Sequence, residues 1–175
     1  MAADYLVSSL PALDFDAPAP MTLAQFDALC LEQLGTDPFR DLERKWRDLE
    51  SQMRNAAAEE RARAKGLDPA PWRRAAAGCS LYWQNRIHAA FAEKDPAARD
   101  RLLDKARWDA AEEMTPVSSP LSRGAAFTYR IRLEIAVRRQ KLSADAGNAV
   151  FETLLENNPS APKPETRNQK LETSH

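Results

Sequence analysis

The sequence predicts an all-α protein, an elongated bundle of about six helices with one long, heptad-patterned member. Three observations carry this. No stretch alternates apolar and polar residues with the period of a strand, and only 5 Gly occur in 175 residues. Helix starts are marked by recognisable capping residues. One segment, Phe39 to Ala56, spaces its apolar or small residues at steps of three and four. A chain of this length buries roughly two-thirds of its unfolded surface and needs no disulfide or metal staple. Cys30 and Cys79 are too few and too isolated for either, and read as reduced small hydrophobes on helix faces.

The first element after the N-terminal stretch is set by Thr22-Leu-Ala-Gln25, a capping box in which the Thr22 and Gln25 side chains satisfy reciprocal backbone donors. Leu23, Phe26, Leu29 and Cys30 form its apolar face, and Gly35 stops it. Asp37-Pro38, Asp68-Pro69 and Asp95-Pro96 then read as starts, because Asp caps a helix and Pro suits its first position; Ser119-Pro120 offers a fourth. From Pro38 to Lys65 the seam Phe39, Leu42, Trp46, Leu49, Met53 and Ala56 predicts a helix of about 40 Å facing another helix, ended by Gly66. A helix over about 79–94 carries Tyr82, Trp83, Ile87 and Phe91, and one from Pro96 carries Leu102, Leu103, Ala106, Ala110 and Met114. In the following helix Phe127, Ile131 and Ile135 recur every four residues beside an Arg130, Glu134, Arg138 ladder. A last helix is expected over about 144–157. Residues 1–157 thus read as a single helical domain, and 158–175, rich in proline and poor in apolar residues, as a disordered tail.

Charge is unevenly placed. Residues 1–38 carry six acids and no Lys or Arg, whereas 121–142 carry six cations against Glu134 alone. Either the acidic N-terminal segment folds beside the basic helix, pairing its arginines with Asp14, Asp16 or Asp27, or Arg130, Arg138 and Arg139 face an acidic partner. Nucleic acid is not expected: the helix has few interleaved aromatics and the net charge is −1.

Catalytic patterns are not evident. His88 falls inside a helix and His175 ends the chain, with no G-x-S-x-G or H-E-x-x-H signature. No glycine-rich phosphate loop occurs. Asp14 and Asp16, in a proline-rich stretch, read as solvated carboxylates. No enzyme activity, cofactor, metal or small-molecule substrate is expected.

The stretch YLVSSLPALDFDAPAP, residues 5–20, is apolar and free of Lys and Arg. It does not read as a secretory leader, because Asp4 stands where a basic region should be. Nor does it approach the about 20 apolar residues that span a bilayer. A cytoplasmic protein is expected. Together with MTLAQFDALC, this stretch resembles the N-terminus of an uncharacterised bacterial family encoded beside V/A-type ATPase genes. That family begins Tyr-Leu-Val-x-Ser-Leu-Pro-x-Leu-x-Phe, then has a proline pair and a helix ending in Cys. The resemblance continues through Leu49–Asn55 (LESQMRN), Gly66-Leu-Asp-Pro69, Leu102–Trp108 (LLDKARW) and Ala146–Glu152, most of residues 5–155. It departs at Met53, where the family tends to have Leu. It departs again at 114–119, where Met-Thr-Pro-Val-Ser-Ser replaces a Gly-His-aromatic stretch.

The resemblance implies a non-catalytic accessory or subunit-C-like coupling protein of a rotary ATPase. Its partners would be central-stalk or membrane-ring subunits, and its location peripheral to the inner membrane. It also implies that residues 5–20 are an extended anchor docking Tyr5, Leu6, Leu10, Leu13 and Phe15 on the helices. The alternative is a free-standing adaptor that self-associates through the Phe39–Ala56 seam.

Overall fold

A computed structural model of the protein describes residues 2–142. Six α-helices occur among them: α1 (Ala2–Ser9), α2 (Leu23–Leu34), α3 (Arg40–Lys65), α4 (Leu81–Ala90), α5 (Pro96–Ala110) and α6 (Arg123–Lys141). Among the described residues there is no strand, and none of the helices is long and apolar enough to cross a membrane. By contacts, the described residues up to Arg139 form one compact unit. The expected helix over 144–157 and the tail from 158 lie outside the described residues.

The N-terminal stretch corrects its expectation. It is not extended throughout but forms helix α1, which stops at Ser9 because Pro11 disfavours helical geometry at Leu10. Leu6 is fully buried and α1 packs on α2, while Leu10 and Leu13 are half-buried against the core. Tyr5 does not dock; it is 71% exposed. Phe15 is buried edge-on against Trp108, with ring centroids 5.4 Å apart.

α2 starts as read: Gln25 donates its backbone N–H to Thr22 Oγ1 at 3.2 Å, and Thr22 donates its own to Gln25 Oε1 at 2.8 Å. Asp37 caps nothing. It sits at φ +53° before Pro38, and Phe39 takes the N-cap position of α3. At 26 residues α3 is about 39 Å long. Gly66 ends it in the left-handed region, at φ +64°, and Leu67 then donates to the Ala62 carbonyl. The seam is spent inside the chain: Phe39, Trp46, Leu49, Met53 and Ala56 are buried and Leu42 is half-buried. Phe39 meets Phe127 of α6 at 5.3 Å, and α3 lies along α4. Asp68 opens only a 3-10 turn, Ala70–Trp72, whereas Asp95 caps α5 through Ala97 and Ala98.

α6 begins three residues beyond Ser119-Pro120, after a 3-10 turn over Ala111–Met114. Gly124 is required where these meet, since a Cβ there would stand 2.2 Å from the Met114 carbonyl oxygen. Phe127, Ile131, Leu133 and Ile135 are buried, and the Thr128 hydroxyl donates to the Ala111 carbonyl at 2.8 Å. Phe26 of α2 stacks on Tyr129 at 5.5 Å. α4 and α5 are tied by Asp109, which accepts from Arg86 at 2.9 Å and Lys105 at 2.6 Å.

Burial pushes the Asp109 carboxyl upward, but hydrogen bonds and charge from Lys105 and Arg86 outweigh it and hold the group below its ordinary 3.8. A depressed carboxyl pKa stabilises the fold above 3.8, and that contribution fades as pH falls through the folded-state value. Asp109→Asn is therefore expected to lose about 1–2 kcal/mol in urea unfolding at neutral pH. The gap to wild type should close as the solution is acidified below pH 3.8.

Candidate functional site

The three candidate interface arginines of α6, Arg130, Arg138 and Arg139, each find acidic neighbours within the chain. Arg130 contacts Asp27 of α2 at 3.3 Å and Glu134 at 3.0 Å. Arg138 bonds Asp104 at 2.6 Å and Asp100 at 3.2 Å, both on α5. Arg139 lies over the Phe15 ring at 4.1 Å and approaches Asp16 at 3.6 Å. Asp16 also binds Arg101 at 2.7 Å, so this carboxylate, solvated as read, is at the same time a latch for the N-terminal segment. The geometry thus follows the intramolecular pairing for Arg130 and Arg139. It gives Arg138 partners on α5, outside the acidic N-terminal segment.

A more distinctive arrangement lies along α3. Its polar residues Asp48, Gln52, Asn55 and Glu59 follow steps of four, three and four, forming a stripe roughly 100° round the helix from the apolar seam. All four grip the segment between α3 and α4. Gln52 donates from Nε2 to the Ala77 carbonyl at 2.7 Å, while its Oε1 accepts from the Ser80 N–H at 2.7 Å. Asn55 does the same with one residue, bonding both the N–H and the carbonyl of Arg74 at 2.8 Å. Asp48 accepts from the Ala77 N–H at 3.2 Å and Glu59 from Arg73 at 2.8 Å. Five backbone groups of residues 74–80, a stretch with no regular structure, are thereby paired by one helix face. The sequence reading passed over these residues because polar positions beside a seam ordinarily face water. Their own helical spacing was the available signal.

Held this way, the segment and the start of α4 present Leu67, Trp72, Leu81 and Tyr82, all about half or more exposed, with Trp72 at 53%. Trp83 and Ile87, the next apolar positions of α4, turn inward instead. Trp72 and Leu67 stand at the rim of a cleft of about 620 Å³ between α3 and α5. Ala57, Ala58 and Ala62 of α3 keep the cleft open, and Met53, Ile87 and Leu103 give it apolar walls. Arg54 and Arg107 share Glu50, so their charge is already matched. Arg61, Lys65 and Arg74 also line it, and none of the three has an acidic partner among the described residues.

Asp104 lies on the α5 wall of the cleft. It is 1% exposed; burial raises its carboxyl pKa, outweighing Arg138, and Oδ2 has no hydrogen-bond partner among the described residues.

The remaining reactive groups have structural partners. His88 bonds Glu60 at 2.6 Å, joining α4 to α3. Burial, with Asp27 nearby, pushes the Cys30 thiol up to about 11; Cys79 is exposed, not on a helix but two residues before α4. Among the described residues no His, Cys, Asp and Glu cluster could hold a metal ion. Comparison with protein-family profiles, with curated proteins and with solved structures yields no match.

Removing the clasp should free the segment without unfolding the bundle. In the double variant Gln52→Ala, Asn55→Ala, the amides of Arg74 and Ser80 should exchange with solvent about tenfold faster or more, while α6 amides keep their protection. Hydrogen exchange read residue by residue checks this. Uniform acceleration across the chain would mean that the clasp holds the core and not the segment.

Proposed function

We propose that the protein is a non-catalytic helical binding protein, and that its setting is a V/A-type rotary ATPase, where it serves as an accessory or coupling subunit. The observation that carries the binding role is the clasped segment. Four side chains of one helix hold Arg73 to Ser80, and the segment sets Trp72 and Tyr82 outward. Exposed aromatics on a rigid support are what a protein interface uses as anchors, because little conformational entropy is lost when they are covered. The ATPase setting rests on the ordered resemblance across residues 5–155, and the all-helical fold agrees with a coupling subunit of that kind.

The self-associating adaptor has less support. The Phe39–Ala56 stripe it requires is buried against α4 and α6, so a dimer through that stripe would have to open the bundle first.

Affinity purification of the tagged chain from its native host, with the proteins identified by mass spectrometry, tests the proposal. Stalk or membrane-ring subunits should be recovered, and Trp72→Ala with Tyr82→Ala should reduce their yield at an unchanged melting temperature. Recovery of no ATPase subunit above the untagged control would overturn the setting.

A further inference from the structure

We infer that the α3–α5 cleft binds an acidic, amphipathic helix of a partner protein, an assignment that rests on the binding role proposed above and names what the cleft takes. The cleft follows α3 from Glu50 to Lys65, roughly 22 Å at the helical rise, or about four turns. Its long walls are helices, and a groove between two helices is filled most closely by the ridge of a third. On α3 the positions facing it, Arg54, Ala57, Arg61 and Lys65, repeat at steps of three, four and four. A docked helix would therefore meet small residues along its apolar face and cations along its flank.

Charge settles the chemistry of that flank. Glu50, Asp100 and Asp104 are matched by Arg54, Arg107 and Arg138 inside the chain. Among the described residues, Arg61, Lys65 and Arg74, which line the cleft together with Leu67 and Trp72, are left over. Arg61 lies 5.7 Å from the Phe91 ring, a contact that orients its guanidinium without neutralising it. A partner bringing two or three carboxylates at a spacing of four residues, beside Leu- or Phe-sized side chains, satisfies both the cations and the apolar rim. A basic helix would place like charges against these three residues.

The test uses the full chain and two fluorescein-labelled helical peptides of about 18 residues. They share one Leu-rich face and carry either Glu or Lys on the other. Fluorescence anisotropy should show the Glu peptide binding about tenfold or more tighter than the Lys peptide, with the difference shrinking as salt rises. The variant Arg61→Glu, Lys65→Glu, Arg74→Glu should invert that order, and Trp72→Ala should weaken the Glu peptide about tenfold. Circular dichroism checks that the triple variant melts like wild type. If it does not, Lys65→Glu alone should still narrow the preference about threefold or more. Equal binding of the two peptides, an unchanged order in the triple variant, or no binding of either would overturn the inference. So would full displacement of the Glu peptide by millimolar inorganic phosphate, which would mark a site for small anions. Recovery of ATPase subunits by wild type and triple variant alike would sink the cleft while leaving the ATPase setting. Peptide discrimination without any such recovery would do the reverse.

Discussion

Burying α6 is the constraint on which the rest of the structure depends. Its apolar residues, from Phe127 to Ala136, are covered on more than one side, yet the same helix carries Arg123, Arg130, Arg132, Arg138 and Arg139. A helix so loaded can be surrounded only if its guanidinium groups reach carboxylates at the edges of the packed region. Each does. Arg123 reaches Asp41 of α3, Arg130 reaches Asp27 of α2, Arg132 reaches Glu112, Arg138 reaches α5, and Arg139 reaches Asp16 in the N-terminal segment. The exposed pairs add little each, a few tenths of a kcal/mol. Their larger effect is on arrangement, because each arginine reaches a different part of the chain.

α3 solves the complementary problem. One long helix serves three surroundings by dividing its circumference. Trp46, Leu49 and Met53 face the core, Gln52 and Asn55 hold the segment before α4, and Arg61 and Lys65 look onto the cleft. These stripes lie roughly 100–140° apart, so none competes with another for space. The rigidity that packing gives α3 is thereby passed to residues 73–80, which join the 3-10 turn carrying the exposed Trp72 to α4.

Much of the fold was legible in the sequence because its signals are local. The capping box at Thr22, the Asp95 cap and the Gly66 stop act within one turn, and the seam from Phe39 declares its own period. Where the outcome depended on distant partners, reading failed. α1 lacks a strong helical pattern in its eight residues, and Leu6 is buried only because α1 packs on α2. Asp37 has the residue type of a cap but not the backbone, since its φ of +53° turns the chain away from the helix axis. The charge imbalance between 1–38 and 121–142 offered Asp14, Asp16 or Asp27 as partners for the arginines of α6, and Arg130–Asp27 and Arg139–Asp16 are the pairs found. It did not point to Asp104, because a buried acid in the middle of α5 looks like any other polar helix residue. The clasp was hidden for the same reason: Gln52 and Asn55 acquire meaning only once residues 74–80 are brought beside them.

The measurement closest to the centre of this picture is a double-mutant cycle on Arg138 and Asp104, using Arg138→Met, Asp104→Asn and the pair. Asp104 is all but inaccessible to water, so removing Arg138 leaves a buried carboxylate short of its charge partner. If the arginines of α6 act as internal latches, urea unfolding will give a coupling energy of about 1 kcal/mol or more. Additivity within about 0.3 kcal/mol would contradict it, and would return Arg138 to the surface as a cation available to a partner.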